Sequence, residues 1–409
     1  MIKGFFKQGH TPTLFSAFLY FDISFMVWVV LGPLGVHIAR DLSLGPAQKG
    51  MMVAIPVLFG AVLRIPLGFL ADHIGPKKTG LIGQVIVTLA LLLAWKFGLH
   101  SLHQLYVMGV FLGFAGASFA VALPMVCRWY PPKHQGLAMG IAGAGNSGTV
   151  LSVLFAPRLA EAFGWQAVLG FAAIPMAVTM MIYALLAQDA PERSQDVARD
   201  DLLSELKKYF QVLKETDTWW FCLFYSVTFG GFVGLASSLV IYFNDQYGLN
   251  PVTAGNFTAV CVFIGSMVRP LGGALADRIG GISALRILYI IVLISMFTIG
   301  MELSSPYLAL AVFALGMMGL GMGNGAVFQL VPLRFRNKIG TMTGIVGTAG
   351  GIGGFFLASL LGYSREWTGS YQLGFMTFAG LAVVCLFVIL AVQTRWRTNW
   401  RAASAAAKI

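Results

Sequence analysis

Charge is what this 409-residue chain has least of: 11% of its residues are Asp, Glu, Lys or Arg, against about 25% in a soluble domain. With 57% of residues hydrophobic, there is more apolar surface than one water-soluble core can bury, so lipid must solvate most of it. A soluble fold is excluded. Cysteine is scarce as well. Cys127, Cys222, Cys261 and Cys385 are scattered and mostly sit inside apolar runs, which offers neither a disulfide framework nor metal-ligand spacing. His10, His37, His73, His100, His103 and His134 form no H-x-x-x-H pair. No Gly-Lys dipeptide occurs, which removes the P-loop and an ATP-driven mechanism, and no nucleophile–base pair or cofactor motif is present. The expectation is a membrane protein that is not an enzyme and needs neither metal nor cofactor.

Reading for runs of about 20 apolar residues predicts twelve spans, at roughly 14–38, 49–72, 79–97, 102–126, 136–157, 165–187, 219–243, 253–275, 284–302, 307–331, 340–361 and 370–394. They define an N-terminal six-helix bundle over 1–187, a polar linker over 188–218, a C-terminal six-helix bundle over 219–394 and a tail over 395–409. Within the linker, Leu202, Leu203, Leu206, Phe210 and Leu213 recur at helical spacing, the pattern of an amphipathic helix on a membrane surface. Of the 27 Lys and Arg, only Arg40, Lys49, Lys96, Arg158 and Arg365 fall in outside loops if both termini are cytoplasmic, and the positive-inside rule fixes that orientation. The same distribution accounts for the net charge of +11. Lys77, Lys78, Arg334, Arg336, Lys338, Arg395 and Arg397 are dispersed over short cytoplasmic segments, so no nucleic-acid partner is called for. The apolar run after Met1 to His10 is long and has no small-residue cleavage site, so it reads as a retained first helix.

The chain repeats itself at a separation of about 205 residues. Arg64-Ile-Pro-Leu-Gly-Phe-Leu-Ala-Asp-His-Ile-Gly75 aligns with Arg269-Pro-Leu-Gly-Gly-Ala-Leu-Ala-Asp-Arg-Ile-Gly280, and Gly136, Gly140, Ile141 and Gly143 align with Gly340, Gly344, Ile345 and Gly347. A parallel duplication of two bundles puts a binding site near mid-membrane between them, exposed to either side as they rock. The G-x-L-A-D-x-I-G element after spans 2 and 8 resembles the loop signature of the major facilitator superfamily. That resemblance implies an all-α major facilitator fold in two pseudo-symmetric bundles, with Asp72 and Asp277 helping to gate the cytoplasmic ends.

Ionisable residues at hydrocarbon depth cost at least about 2.5–3.5 kcal/mol each on insertion scales. Only Asp22, Arg64 and Arg269 qualify. The arginines hold equivalent repeat positions, each about 12 Å deep at the helical rise, and should face each other across the central cavity. Arginine cannot shed its proton, so this cavity is net positive and wants an anion. A guanidinium fork suits a small planar oxyanion such as nitrate, nitrite or a carboxylate. Tyr225 and Phe229 share a face of span 7 one turn apart, with Tyr20 as the repeat partner of Tyr225. Phe119, in the small-residue stretch Gly116-Ala-Ser-Phe-Ala120, is left facing the cavity.

Spans 5 and 11 carry Gly140-Ile-Ala-Gly143-Ala-Gly145-Asn146-Ser-Gly148 and Gly344-Ile-Val-Gly347-Thr-Ala-Gly350-Gly351-Ile-Gly353-Gly354. In lipid, such glycines let helix backbones touch and slide. The G-x-G-x-x-G within the first is not a dinucleotide fingerprint, because no strand precedes it and no soluble βαβ unit contains it. The two stretches resemble the paired nitrate signatures of the nitrate/nitrite porter family, over essentially the whole chain and together with Arg64, Arg269, Phe119, Tyr225 and Phe229. The resemblance implies that Arg64 and Arg269 clamp nitrate or nitrite, that Tyr225 adds a hydrogen bond and that Phe119 and Phe229 sandwich the flat anion. Asn146 and the glycines Gly143, Gly145, Gly148, Gly347, Gly350 and Gly351 then contact substrate or reshape around it. The family also implies a bacterial inner membrane, and a monomer is expected.

A cytoplasm-negative potential opposes anion entry by about 2.3 kcal/mol per 100 mV, an exclusion of about 50-fold. Uptake therefore needs coupling. Asp22 is the one acid at membrane depth, with Val227 at the matching place in the second half, and it is the candidate proton carrier of a nitrate symporter. The alternatives are a nitrate/nitrite exchanger, a carrier of formate or oxalate, and, in another class, an anion sensor that binds without turnover.

Overall fold

A computed structural model describes residues 8–131, 138–139, 141–191, 210–335 and 339–401. Described residues in regular structure are helical, and eleven helices are long and apolar enough to cross a membrane. In chain order the spans are α1 (Thr11–Asp41), α2 (Pro46–Ile74), α3 (Pro76–Phe97), α4 (Leu102–Cys127), α5 (Gly148–Phe163), α6 (Trp165–Leu186), α7 (Thr216–Tyr247), α8 (Pro251–Ile279), α9 (Gly281–Gly300), α10 (Pro306–Arg334), α11 (Ile339–Thr368) and α12 (Gln372–Arg401). The fifth is shorter than the rest because a 3-10 stretch, Ala144–Ser147, precedes it. The start of span 5, most of the amphipathic helix expected in the linker, and residues 402–409 of the tail lie outside the described residues.

Local chemistry sets the helix ends. Pro46, Pro76, Pro251 and Pro306 open their helices at positions whose N–H needs no partner. Asn250 and Ser305 cap the N-termini of α8 and α10 through Thr253 N–H and Leu308 N–H. The duplication is visible in the backbone. Gly75 and Gly280 turn the chain after α2 and α8 at φ 102° and 92°, a region other residues avoid. Both helices are also interrupted by one residue directly before their arginine, at Leu63 and Val268. Pro66 and Pro270 follow, and a proline withholds the N–H that the carbonyl four residues back would use. Arg64 and Arg269 therefore each begin a new helical segment.

α7 is buried along nearly its whole length, whereas α3, α6, α9 and α12 present large apolar side chains outward, among them Leu89, Leu93, Leu185, Ile294 and Phe387. The halves meet along α1 with α7, α2 with α11, and α5 with α8. Small residues make these contacts close: a Cβ at Gly32 would overlap the Ser237 carbonyl, one at Gly50 would sit 2.8 Å from Gly362 Cα, and one at Gly351 would overlap Ala61.

One face of the molecule carries Lys77, Lys78 and Arg334 and is here termed the basic face. At the opposite face polar contacts tie the halves together. Lys49 pairs with Asp245, which also accepts a hydrogen bond from Tyr371 at 2.9 Å. Glu366 accepts from Ala47 N–H at 2.9 Å, and Arg158 donates to Asn256 at 2.6 Å. Burial, reinforced by the Asp245 carboxylate, pushes the Tyr371 phenol well above its usual range, so it remains a donor. At the basic face the described ion pairs run within a half: Arg128 with Asp72 at 2.6 Å, and Arg334 with Asp217 at 2.6 Å and Glu215 at 2.8 Å.

Candidate anion-binding site

Arg64 and Arg269 come together at the centre, reached from both halves. Arg64 is 3% exposed. Its Nη1 donates to the Gly347 carbonyl of α11, and its guanidinium carbon lies 5.2 Å from the ring centres of both Phe119 and Phe229. Phe229 stacks on Tyr225, one turn earlier on α7, with centroids 5.1 Å apart and planes 4° from parallel. The Tyr225 hydroxyl accepts from Arg269 Nη2 at 3.5 Å. Arg64, Arg269, Tyr225, Phe119 and Phe229 thus lie together. The slot between Phe119 and Phe229 holds the Arg64 guanidinium itself.

Three donors at this centre are unsatisfied. Arg64 Nε and Nη2 and Arg269 Nη1 are buried donors without an acceptor, a state that costs more than a typical hydrogen bond returns. Neither arginine enters an ion pair among the described residues. Asp22, the nearest candidate by sequence, does not face them. It is 8% exposed and accepts from Ser147 Oγ at 2.7 Å. Two cations with free donors and, among the described residues, no paired carboxylate form a centre whose chemistry suits a small anion.

The signature glycines have distinct neighbours. A Cβ at Gly347 would lie 3.1 Å from Arg64 Nη1, and one at Gly350 would press 2.6 Å from the Tyr225 ring and 2.9 Å from Phe229. Gly350 is what lets the stacked pair lie flat on α11, while Gly351 lets α11 touch α2. In the first half, a Cβ on Gly145 would lie 2.6 Å from Phe21, one on Gly148 would overlap the Asp22 carbonyl, and Gly143 has open space around it. Asn146 is 2% exposed, in the 3-10 stretch, with its Oδ1 unpartnered. No described contact joins it to the arginines. Asp72 and Asp277 lie at the basic-face ends of α2 and α8, away from the chamber. Asp72 binds Arg128 of its own half, and Asp277 is exposed with no ion pair among the described residues.

Phe328 of α10 completes the chamber and was not anticipated. Its ring meets Tyr225 edge-on at 4.9 Å and lies 6.5 Å from Phe119, and the Arg269 guanidinium sits 6.0 Å from its centre. The signal was present: Phe328 follows Gly321-Met-Gly-Asn-Gly325, a small-residue stretch of the kind that singles out Phe119. Asn324, one turn before it, and Thr228 are buried with unpartnered oxygens. Tyr20 departs from its expected equivalence to Tyr225. It stacks on Tyr183 of α6 at 4.8 Å, and the α1 ring nearest the chamber is Phe21, 5.8 Å from Phe119.

Helices from two duplicated halves around a buried cationic centre define a membrane transporter. The match to the Major Facilitator Superfamily family model spans residues 14–358. Among solved structures, the chain is similar to the xylose transporter XylE from E. coli, with a TM-score of 0.73 at 12% identity, covering 93% of this chain and 98% of that one. It is 33% identical to the nitrite extrusion protein of Bacillus subtilis (strain 168) over 92% of this chain and 93% of that protein. To the probable nitrate transporter NarT of Staphylococcus carnosus (strain TM300) it is 34% identical over 94% and 95%. The chain belongs to the nitrate/nitrite porter family of the Major Facilitator Superfamily. It is a multi-pass membrane transporter, not an enzyme.

Proposed function

We propose that this protein imports nitrate by alternating access, driven by proton symport, and so supplies nitrate assimilation. The observation that carries this reading is the pair Arg64 and Arg269, one from each half, whose buried Nε, Nη2 and Nη1 donors have no acceptor and which enter no ion pair among the described residues. Nitrate is flat, monovalent and rich in acceptors, which suits guanidinium forks between aromatic rings. The bundles 1–187 and 219–394 rock as bodies joined by the linker 188–218. The basic face is cytoplasmic, with both termini and the tail 395–409, in a bacterial inner membrane. Asp72 and Asp277 act at the cytoplasmic gate. Asp22 carries the proton, and the transporter works as a monomer. Arg64 leaves the Gly347 carbonyl for the anion, and the loss of that bond frees α11 to move against α2.

A second reading, exchange of external nitrate for internal nitrite, draws on the relative named as a nitrite extrusion protein. Reconstitution into liposomes separates the two. Nitrate-dependent internal acidification without nitrite inside supports symport. Flux that appears only with nitrite on the far side refutes it.

A further inference from the structure

We propose that Ser147 is the coupling residue of this transporter: its single hydroxyl proton, offered either to Asp22 or to the Ala144 carbonyl, converts the protonation of Asp22 into the shape of the segment carrying Asn146. The inference rests on the symport reading and names the positioning residue through which the proton acts.

Ser147 Oγ lies 2.7 Å from Asp22 Oδ1 and 2.9 Å from the Ala144 carbonyl oxygen. A serine hydroxyl has one hydrogen to give, so two acceptors compete for one donor. While Asp22 is ionised, the charge-assisted bond wins and the Ala144 carbonyl loses its side-chain partner. When Asp22 takes up a proton, its own O–H donates to Ser147 Oγ. The serine hydrogen then turns to Ala144 and braces the 3-10 turn Ala144–Ser147. The proton enters and leaves at the Asp22 carboxyl, and no covalent bond of the chain changes.

The surroundings make this segment responsive. A 3-10 stretch inside a span has poorer hydrogen-bond geometry than α-helix and often marks a hinge. Gly148 has no room for a Cβ against the Asp22 carbonyl, so the segment packs directly on the α1 backbone beside the acid that Ser147 binds. Asn146 lies inside it with Oδ1 buried and unpartnered, while its carbonyl accepts from Thr149 at 2.7 Å. Among the described residues Asp22 enters no ion pair. Of the ionisable groups on the helices around it, Tyr20 of its own helix stacks on Tyr183 of α6, Arg64 of α2 is held by Gly347 and two rings, Arg158 of α5 is held by Leu154 and Asn256, Glu161 is exposed near the far end of α5, and Cys127 ends α4. The hydroxyl of Ser147 is therefore the group that reads the charge of Asp22.

The test measures nitrate affinity of the purified full-length protein as a function of pH, together with proton flux in liposomes. Wild type is expected to bind nitrate about tenfold more tightly as Asp22 becomes protonated, an ordinary coupling between sites. Ser147→Ala should keep the high-pH affinity, lose the dependence on pH and transport nitrate without protons. Ser147→Thr, which retains the hydroxyl, should restore both. Asp22→Asn, whose amide donates to Ser147 as the protonated acid does, should hold the tight affinity at every pH, and this variant decides the matter if Ser147→Ala fails to fold. A wild-type pH profile and proton flux in Ser147→Ala, or a weak, high-pH affinity in Asp22→Asn, overturns the Ser147 link and leaves symport standing. Absence of proton flux and pH dependence in wild type overturns symport and the link together.

Discussion

Replacing Arg64 by lysine keeps the charge and removes the fork, and the structure sets the size of the effect. The guanidinium spans three partners at once: the Gly347 carbonyl through Nη1, and the faces of Phe119 and Phe229 at 5.2 Å each. Nε and Nη2 are left to bind the anion. A lysine ammonium is a single point that can reach the carbonyl or the anion, and it loses at least one charge-assisted hydrogen bond, about 1.5–3 kcal/mol. Nitrate affinity should therefore fall about 10- to 150-fold, with the apparent KM for uptake rising in step. The same burial predicts an opposite effect on stability. Unpartnered donors on a buried cation are costly, so Arg64→Leu should melt at a higher temperature than wild type while losing transport. Nitrate at 100 times its Kd should stabilise wild type by about 2.7 kcal/mol and leave Arg64→Leu unmoved. The assays are equilibrium binding and thermal unfolding in detergent. Affinity within threefold of wild type for both Arg64→Lys and Arg269→Lys would refute the clamp.

Phe328→Ala should weaken nitrate binding about tenfold, since it removes the ring that meets Tyr225 and Arg269 and admits water beside the guanidinium; binding equal to wild type would remove Phe328 from the site. The signature glycines should separate by their neighbours: Gly143→Ala is tolerated in uptake assays, Gly350→Ala abolishes binding by displacing Tyr225 and Phe229, and Gly148→Ala expresses poorly because its methyl meets the Asp22 backbone. Asp245→Asn should loosen the opposite-face latch of Lys49, Asp245 and Tyr371 by about 1 kcal/mol, raising the labelling rate of a cysteine placed at Val53 from that side about fivefold; an unchanged rate would show that the latch does not hold this face shut.

Much of the fold was legible because lipid imposes a simple rule. Apolar runs of span length and the distribution of Lys and Arg need no tertiary information, and the matched segments after α2 and α8 disclosed the duplication. The arginines were legible for the same reason: a permanent cation inside an apolar run has few explanations. Positions that depend on rotation about a helix axis were harder. Tyr20 and Tyr225 align in the repeat, yet in α1 it is Phe21 that points towards Phe119. Phe328 carried the same small-residue context as Phe119 and was hidden because aromatic residues in membrane helices are so often packing. Arg128 pairs with Asp72 of its own half, whereas Arg334 binds Asp217 and Glu215 rather than Asp277. Those acids come from the start of α7, a pairing that no spacing within the repeat discloses. Asp22 was visible as a buried acid, but its partner, a serine inside the signature, depends on how α1 meets the 3-10 turn.

In the proposed function the two guanidinium groups hold one small flat anion between the halves. The decisive experiment is a structure determined with nitrate bound. Density for a planar anion is expected in contact with both Arg64 and Arg269, flanked by Phe119 and Phe229, with Arg64 released from the Gly347 carbonyl. An anion bound elsewhere, or an Arg64 still donating to Gly347 with nitrate present at saturation, would contradict it.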